Sequence, residues 1–177
     1  MKLKINSALI FSITMASCTA FAEAKKEQTH EHRAHSHGNG KLELAIDGNS
    51  VKGKFELPME SLLGFENLPK NTSQKKTMAA LQEATQTIEN FIQLPASAGC
   101  VSKSISAASD MFSGKKSDHS DLDLSFEWEC KKISEVKQID LVIFKNYRKL
   151  KSMKVDLVTP QSQQSFQVKS SKPIINF

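Results

Sequence analysis

The stretch Asp121-Leu122-Asp123-Leu124-Ser125-Phe126-Glu127-Trp128-Glu129-Cys130 alternates polar and apolar side chains without a break. Successive side chains of a β-strand point to opposite faces of a sheet, whereas a helix repeats about every 3.6 residues. The period of two therefore predicts a strand with one buried face. This is the clearest strand pattern in the chain, and it indicates that a sheet lies at the centre of the fold.

The same period occurs earlier in the chain, on both sides of a turn. Residues 41–46 and 51–57 alternate, and Asp47-Gly48-Asn49-Ser50 between them has the composition of a tight turn. Two alternating segments joined in this way predict a β-hairpin with one buried face.

The remaining strand signals lie on either side of residues 121–130. Gly99 to Ala107 predicts a strand, and residues 133–147 fit either a strand followed by a turn or a short helix. Residues 153–157 and 164–168, joined through Pro160-Gln161-Ser162, predict a closing hairpin.

One segment has the pattern of an amphipathic helix. Asn71 is a suitable N-cap, and Gln74 stands three residues later as a variant of the capping box. The positions that would face the core recur every three or four residues and are Met78, Leu81, Thr85, Ile88 and Ile92. Leu94-Pro95 would end the helix. A helix that packs on the core is the favoured interpretation, and a membrane or partner helix is the alternative.

These elements together predict an α+β fold. We expect residues 41–177 to form a single domain whose largely antiparallel sheet is built from hairpins, with one main amphipathic helix and one disulfide. A chain of 177 residues is long enough for one sizeable hydrophobic core.

The first 22 residues have the features of a secretory signal peptide. Lys2 and Lys4 precede a short apolar run at 8–16, and Ala20-Phe21-Ala22 is a small-x-small cleavage site. The mature chain would begin at Glu23 and have no membrane span. An uncleaved anchor is one alternative, and lipidation at Cys18, which would tether the protein to a membrane face, is another.

Two cysteines remain after the leader, Cys100 and Cys130. An even pair in an exported chain predicts a disulfide. The bond would close a loop of about 31 residues and stabilise the fold by roughly 3–4 kcal/mol on the chain-entropy estimate. Two thiolate metal ligands are the competing interpretation.

Four of the five histidines are concentrated in the segment 29–38, at His30, His32, His35 and His37. Neutral imidazole is a common ligand of late first-row divalent metals, so the segment predicts metal binding by a flexible tail at 23–40. Imidazole also binds copper and nickel, and copper more tightly in general. The alternative is a polar linker that is merely rich in histidine.

The fifth histidine, His119, lies between Asp118 and Asp121 in a predicted polar loop. An imidazole with one of these carboxylates could complete a four-coordinate zinc site with the tail. The alternative is a solvated loop histidine.

Charge and composition argue against two other classes of function. Removal of Lys2 and Lys4 lowers the net charge from +5 to +3, and scattered lysines with few aromatics do not indicate a nucleic-acid surface. No histidine stands beside a serine within the predicted strands and helix, and pairing of the cysteines leaves no free thiol, so we expect no enzyme.

The chain resembles the ZrgA-like zinc-regulated periplasmic proteins of Gram-negative bacteria, a domain family long described as of unknown function. The resemblance covers essentially the whole mature chain and rests on pieces in a fixed order. These are His35-Ser36-His37-Gly38, Leu42-Glu43-Leu44-Ala45-Ile46-Asp47-Gly48-Asn49, Leu63-Gly64-Phe65-Glu66, Phe91-Ile92-Gln93-Leu94-Pro95, Gly99-Cys100, His119-Ser120-Asp121, Phe126-Glu127-Trp128-Glu129-Cys130, Phe144, Val155-Asp156-Leu157 and Gln163-Gln164.

The resemblance implies a periplasmic, zinc-binding accessory protein of zinc uptake that is linked to an ABC-type importer. Family members carry histidine-rich segments at the N-terminus and between the two cysteines; here the second is reduced to His119. Asn67 stands where relatives often have histidine after Gly-Phe-Glu. The alternatives are a module that docks on an envelope protein and has an incidental tail, or a carrier of another divalent metal such as copper.

Overall fold

The computed structural model describes residues 38–117 and 119–177. Eight strands occur among these residues, and their bounds are β1 (Asn39–Asp47), β2 (Ser50–Pro58), β3 (Cys100–Ala108), β4 (Asp121–Cys130), β5 (Gln138–Asp140), β6 (Ser152–Val158), β7 (Gln163–Lys169) and β8 (Ile174–Asn176). The predicted strand at 121–130 is confirmed to the residue, and both predicted hairpins are present.

Six of the strands form one sheet in the order β3-β4-β2-β1-β6-β7, and β5 pairs with β8 in a small second sheet. Every neighbouring pair is antiparallel except β1 and β6, which run parallel. The predicted α+β class with a largely antiparallel sheet is confirmed. The N-terminal strand lies between β2 and β6 and is not an edge.

The helices of the described residues are short. They are α1 (Met59–Leu63), α2 (Thr72–Ala84) and α3 (Ile143–Asn146), with 3-10 turns at Ile88–Asn90, Ala96–Ala98 and Ile133–Glu135. Asn71 caps α2 as predicted, because its side chain accepts from the Gln74 amide at 2.9 Å. The reciprocal bond is displaced by one residue, since the Gln74 side chain accepts from the Lys70 amide.

The predicted extent of this helix is wrong at its C-terminal end. The helix ends at Ala84, and Ile88–Asn90 form a separate 3-10 turn. The Thr85 hydroxyl donates to the Gln82 carbonyl at 2.7 Å, and the Asn90 side-chain amide donates to the Ala84 carbonyl at 3.0 Å. These side chains satisfy the carbonyls of the last turn and let the chain leave the helix. Ile88 and Ile92 are still fully buried, so their periodicity reported burial correctly.

The two faces of the six-stranded sheet differ sharply. One face carries the core, which includes Leu42, Phe55, Leu124, Trp128 and Val155, and side chains from the helices and 3-10 turns pack against it. The other face carries exposed or half-buried charges that pair across strands, such as Lys52 with Glu127 and Lys54 with Asp123.

A close contact at the middle of the sheet explains one glycine. Gly53 lies in register between Leu44 of β1 and Phe126 of β4. A Cβ at this position would lie 2.3 Å from the Phe126 ring and 2.9 Å from the Glu43 carbonyl oxygen. The Phe126 side chain therefore occupies the space that a residue larger than glycine would need.

Several short elements differ from, or add to, the predictions. The interval 133–147 contains a 3-10 turn, a three-residue strand and a four-residue helix, so both alternatives for it are realised in part. The connection at 58–69 contains α1, and β8 follows the hairpin that was predicted to close the chain. These elements are too short to produce a recognisable period.

Candidate metal centre

Helix α1 is hydrogen-bonded to Gly38, the last residue of the histidine-rich segment 29–38. The Gly38 amide donates to the Ser61 hydroxyl oxygen at 3.0 Å, and Ser61 is completely buried. The Gly38 carbonyl accepts from the amides of Lys151 and Ser152 at 2.7 and 3.1 Å. Gly38 is thus fixed from both sides, which gives the start of β1 a defined position.

The same helix is also hydrogen-bonded to Ser120, the residue that follows His119 in the loop before β4. The Met59 amide donates to the Ser120 carbonyl at 2.9 Å. Ser120 is buried, and its hydroxyl lies 3.1 Å from the hydroxyl of Ser109, which accepts from the Met111 amide at 3.3 Å. The two ends of the loop are therefore joined to each other and to α1.

His119 is close to a carboxylate that lies shortly after α1. Its Nδ1 is 3.4 Å from Oε2 of Glu66, and the two side chains are 56% and 33% exposed. The helix ends at Gly64, whose φ of +85° lies in the left-handed region that glycine adopts without strain, and the chain then turns towards Glu66. The Ser117 hydroxyl donates to the His119 carbonyl. An imidazole and a carboxylate, both open to solvent, are two suitable zinc ligands.

The structure describes only two of the predicted metal ligands. His119 and Asp121 are described, and Asp121 is the half-buried first residue of β4, in register with Pro58 of β2. Asp118 lies outside the described residues, as do the four clustered histidines His30, His32, His35 and His37, the predicted signal peptide and Cys18. The contact of His119 is with Glu66, a residue to which sequence analysis gave no role.

Residues 38–117 and 119–177 contain no group of three or more histidine, cysteine, aspartate or glutamate side chains placed to hold a metal ion. A structural zinc site has four protein ligands, and a catalytic site generally has three. His119 and Glu66 alone therefore form part of a site, and further donors would have to come from other parts of the chain or from solvent.

The cysteines are not available as ligands. Cys100 and Cys130 form a disulfide with an S–S distance of 2.05 Å, and they are direct register partners of β3 and β4. The predicted disulfide is confirmed. The competing interpretation as thiolate ligands is wrong for this state of the chain.

A comparison with protein families identifies the class of the chain. A family described as ZrgA family zinc uptake protein matches residues 34–177. The match covers the described domain and most of the chain, so the chain belongs to this zinc uptake family. The resemblance found in the sequence is confirmed.

A search of curated proteins finds no match to the chain. Among the described residues, no helix is both long and apolar enough to cross a membrane.

Proposed function

We propose that this chain is an exported zinc-binding protein that collects zinc through its histidine-rich segment and passes it to an ABC-type importer in the bacterial envelope. Membership of a zinc uptake family supports the choice of metal and process. The four clustered histidines supply the imidazoles, and the ion is the cargo of the protein.

The contact that carries the proposal is the pair of His119 and Glu66. Gly38 and Ser120 are both bonded to α1, a helix of five residues. Such a helix is only about 7.5 Å long. A chain covers at most about 3.5 Å per residue, so the three residue steps from His35 to Gly38 can bridge at most about 11 Å. This span is compatible with a site shared by His35, His37, His119 and Glu66, to which Asp118 or Asp121 could add a carboxylate.

Asn67 supports the same location. This exposed residue follows Glu66 directly, and the family resemblance implies histidine at this position in many relatives. A histidine there would place another imidazole beside the pair of His119 and Glu66. The reduced ligand set of this chain is consistent with a weaker site than a relative with that histidine would have.

Calorimetric zinc titration of the mature chain tests the proposal. We expect replacement of His30, His32, His35 and His37 by alanine to remove most of the binding. Glu66→Gln should weaken binding by about tenfold, a loss typical of altered metal-site partners. Glu129→Gln, which makes the same chemical change in a strand of the open face, is the matched control and should bind as the unaltered chain does.

A variant that gains a ligand makes the test sharper. Asn67→His should tighten zinc binding, because it adds an imidazole next to Glu66. All binding should weaken as the pH falls through the histidine range, since protons compete for the ligands. Unchanged binding in both the Glu66→Gln and the four-histidine variants would overturn the proposed site.

Delivery and location are tested in cells. We expect a strain that depends on this protein to grow poorly in zinc-depleted medium when residues 23–38 are deleted. Mass spectrometry of the periplasmic fraction should find a chain that begins at Glu23. A lipid-modified chain that begins at Cys18 would instead place the protein on a membrane face, and full growth without residues 23–38 would exclude the tail as the collecting part.

A further inference from the structure

A groove of about 680 Å³ separates the edge strand β7 from β8. Ser165, Gln167 and Lys169 line it from β7, and Ile174 and Asn176 line it from β8. At one end the two strands are joined by a tight connection, in which the Lys172 amide donates to the Lys169 carbonyl at 2.9 Å. The groove is thus the space between two consecutive strands that diverge from a turn.

The wall formed by β7 presents free backbone groups. The Ser170 amide bonds the Lys151 carbonyl on the β6 side, whereas the Lys169 carbonyl bonds Lys172 on the opposite side. The amide and carbonyl of one strand residue point the same way, and the direction alternates along the strand. The backbone groups of Ser165 and Gln167 therefore point away from β6, towards the groove.

The wall formed by β8 does the same. The Pro173 carbonyl accepts from the Leu141 amide at 2.9 Å, and the Phe177 amide donates to the Lys137 carbonyl at 3.2 Å, so this set of groups faces the β5 side. By alternation the backbone groups of Ile174 and Asn176 point away from β5. Within the described ranges, no backbone hydrogen bond joins these groups to another strand.

The rim of the groove is basic. Lys169 and Lys172, which line the groove, take part in no ion pair among the described residues, whereas Lys145 and Lys149 elsewhere pair with acidic side chains. Two lysines without an acidic partner beside one groove attract an acidic ligand.

The groove also offers an apolar contact. Ile174 is 39% exposed and is one of three large hydrophobic residues in the described part of the chain that are this open to solvent. Half-buried Phe166 lies on the opposite wall. A bound strand could therefore place alternate apolar side chains in the groove and acidic ones at the basic rim.

We propose that this groove binds an extended acidic segment of a partner protein, which adds as a strand to the edge of β7. Strand addition uses main-chain hydrogen bonds for affinity and the side-chain pattern for specificity. The inference does not depend on the zinc ligands and stands or falls separately from them.

The test uses a fluorescein-labelled octapeptide of alternating glutamate and valine and measures its anisotropy with the mature protein. We expect the double variant Lys169→Glu with Lys172→Glu to bind about tenfold more weakly, a loss equivalent to about 1.4 kcal/mol. The matched control is Lys131→Glu with Lys132→Glu, next to the opposite edge of the sheet. It should change binding less than twofold.

Two further measurements separate strand addition from charge attraction. A peptide with alternate amides methylated should lose binding, because it cannot complete the ladder. Hydrogen exchange at the Ser165 and Gln167 amides should slow when the unmethylated peptide is added. The proposal is overturned if the methylated peptide binds equally, if the control variant loses as much, or if no peptide binds.

Other occupants would also be visible in these experiments. Binding to phosphatidylglycerol vesicles through Lys169 and Lys172, with no peptide binding, would assign the rim to a membrane surface and overturn the proposal. A concentration-dependent dimer that the peptide fails to dissociate would assign the groove to a second copy of the chain, with the same result.

Discussion

The two faces of the six-stranded sheet are made from the same strands, yet they contribute differently to the stability of the fold. On the core face, Phe55 is fully buried, and its ring centre lies 6.2 Å from that of Phe91 and 5.7 Å from that of Phe126. On the open face, Lys54 lies between Glu56 and Asp123, with its Nζ 3.2 and 3.1 Å from their oxygens. Lys54 and Phe55 are adjacent in β2, and adjacent side chains of a strand point to opposite faces of the sheet.

This contrast separates stability from surface chemistry. Burial of aromatic side chains removes much apolar area from water, whereas exposed ion pairs contribute little because water screens them. The free energy of folding should therefore depend mainly on the core face.

The largest loss should follow Phe55→Ala on the core face. The change leaves a cavity beside Phe91 and Phe126, and we expect a loss of about 3–5 kcal/mol in the free energy of unfolding, measured by urea denaturation. Ser125→Ala, in a neighbouring strand of the open face, is the control and should lie within about 0.5 kcal/mol of the parent. Equal losses would contradict the contrast between the faces.

Removal of the disulfide should have the next largest effect. The bond joins positions 30 apart in sequence at the start of β3 and the end of β4. We expect Cys100→Ala with Cys130→Ala to lose about 3–4 kcal/mol, because the unfolded chain gains loop freedom. The reduced parent protein should unfold at a similar urea concentration. A change below about 1 kcal/mol would show that the unfolded chain gains little conformational freedom when the disulfide is removed.

Gly53→Ala should cost about 1–3 kcal/mol, although it adds a single methyl group. The new Cβ would overlap the Phe126 ring and approach the Glu43 carbonyl. Combination with Phe126→Leu should give a total loss smaller than the sum of the two separate losses, because the smaller side chain relieves the overlap. Additive losses in urea denaturation would place the strain elsewhere.

Among these contacts, the ion pair of Lys54 and Asp123 should contribute least to the free energy of unfolding. The side chains are 38% and 49% exposed. We expect a double-mutant cycle of Lys54→Ala and Asp123→Ala to give a coupling of about 0–1 kcal/mol that weakens with added salt. A coupling comparable to the Phe55→Ala loss would remove the distinction between the faces.

The contribution of the open face to stability should be most visible in the pH dependence of the free energy of unfolding. Hydrogen bonding from Ser50, with Lys52 nearby, holds the pKa of Glu127 below its ordinary value, and Ser165 with Lys154 does the same for the pKa of Asp156. A carboxyl whose pKa is lower in the folded state stabilises the protein above its ordinary pKa, and this contribution is lost as the pH falls through the folded value. The double variant Ser50→Ala with Ser165→Ala should lose less of its free energy of unfolding as the pH falls, measured by urea denaturation at several pH values. An unchanged dependence on pH would contradict this expectation.

Much of the fold was accessible from the sequence because its strands have one buried face. Alternation located β4, β6, β7 and the first hairpin, since every second residue meets the core. The helix was extended too far because Ile88 and Ile92 keep a helical spacing, while the local hydrogen bonds of Thr85 and Asn90 that stop it leave no periodic signal. The three-residue strands β5 and β8 are defined by pairing with each other, which alternation within either one does not reveal.

The candidate site was only partly accessible. The sequence singled out His119 because it is a rare residue type beside carboxylates, but its contact with Glu66 spans 53 positions in the chain. That contact arises from the fold, in which α1 carries both the loop end and the turn at Gly64. The one sequence signal was the occurrence of Glu66 and His119 in separate pieces of the family pattern.

The position of β1 has a mechanical consequence. The strand that follows the histidine-rich segment is paired along its length with β2 on one side and β6 on the other. A force applied before Gly38 along the axis of β1 would load both ladders in shear, so that many hydrogen bonds resist it together. The histidine-rich segment therefore leads into a strand that resists traction along its axis with two ladders at once.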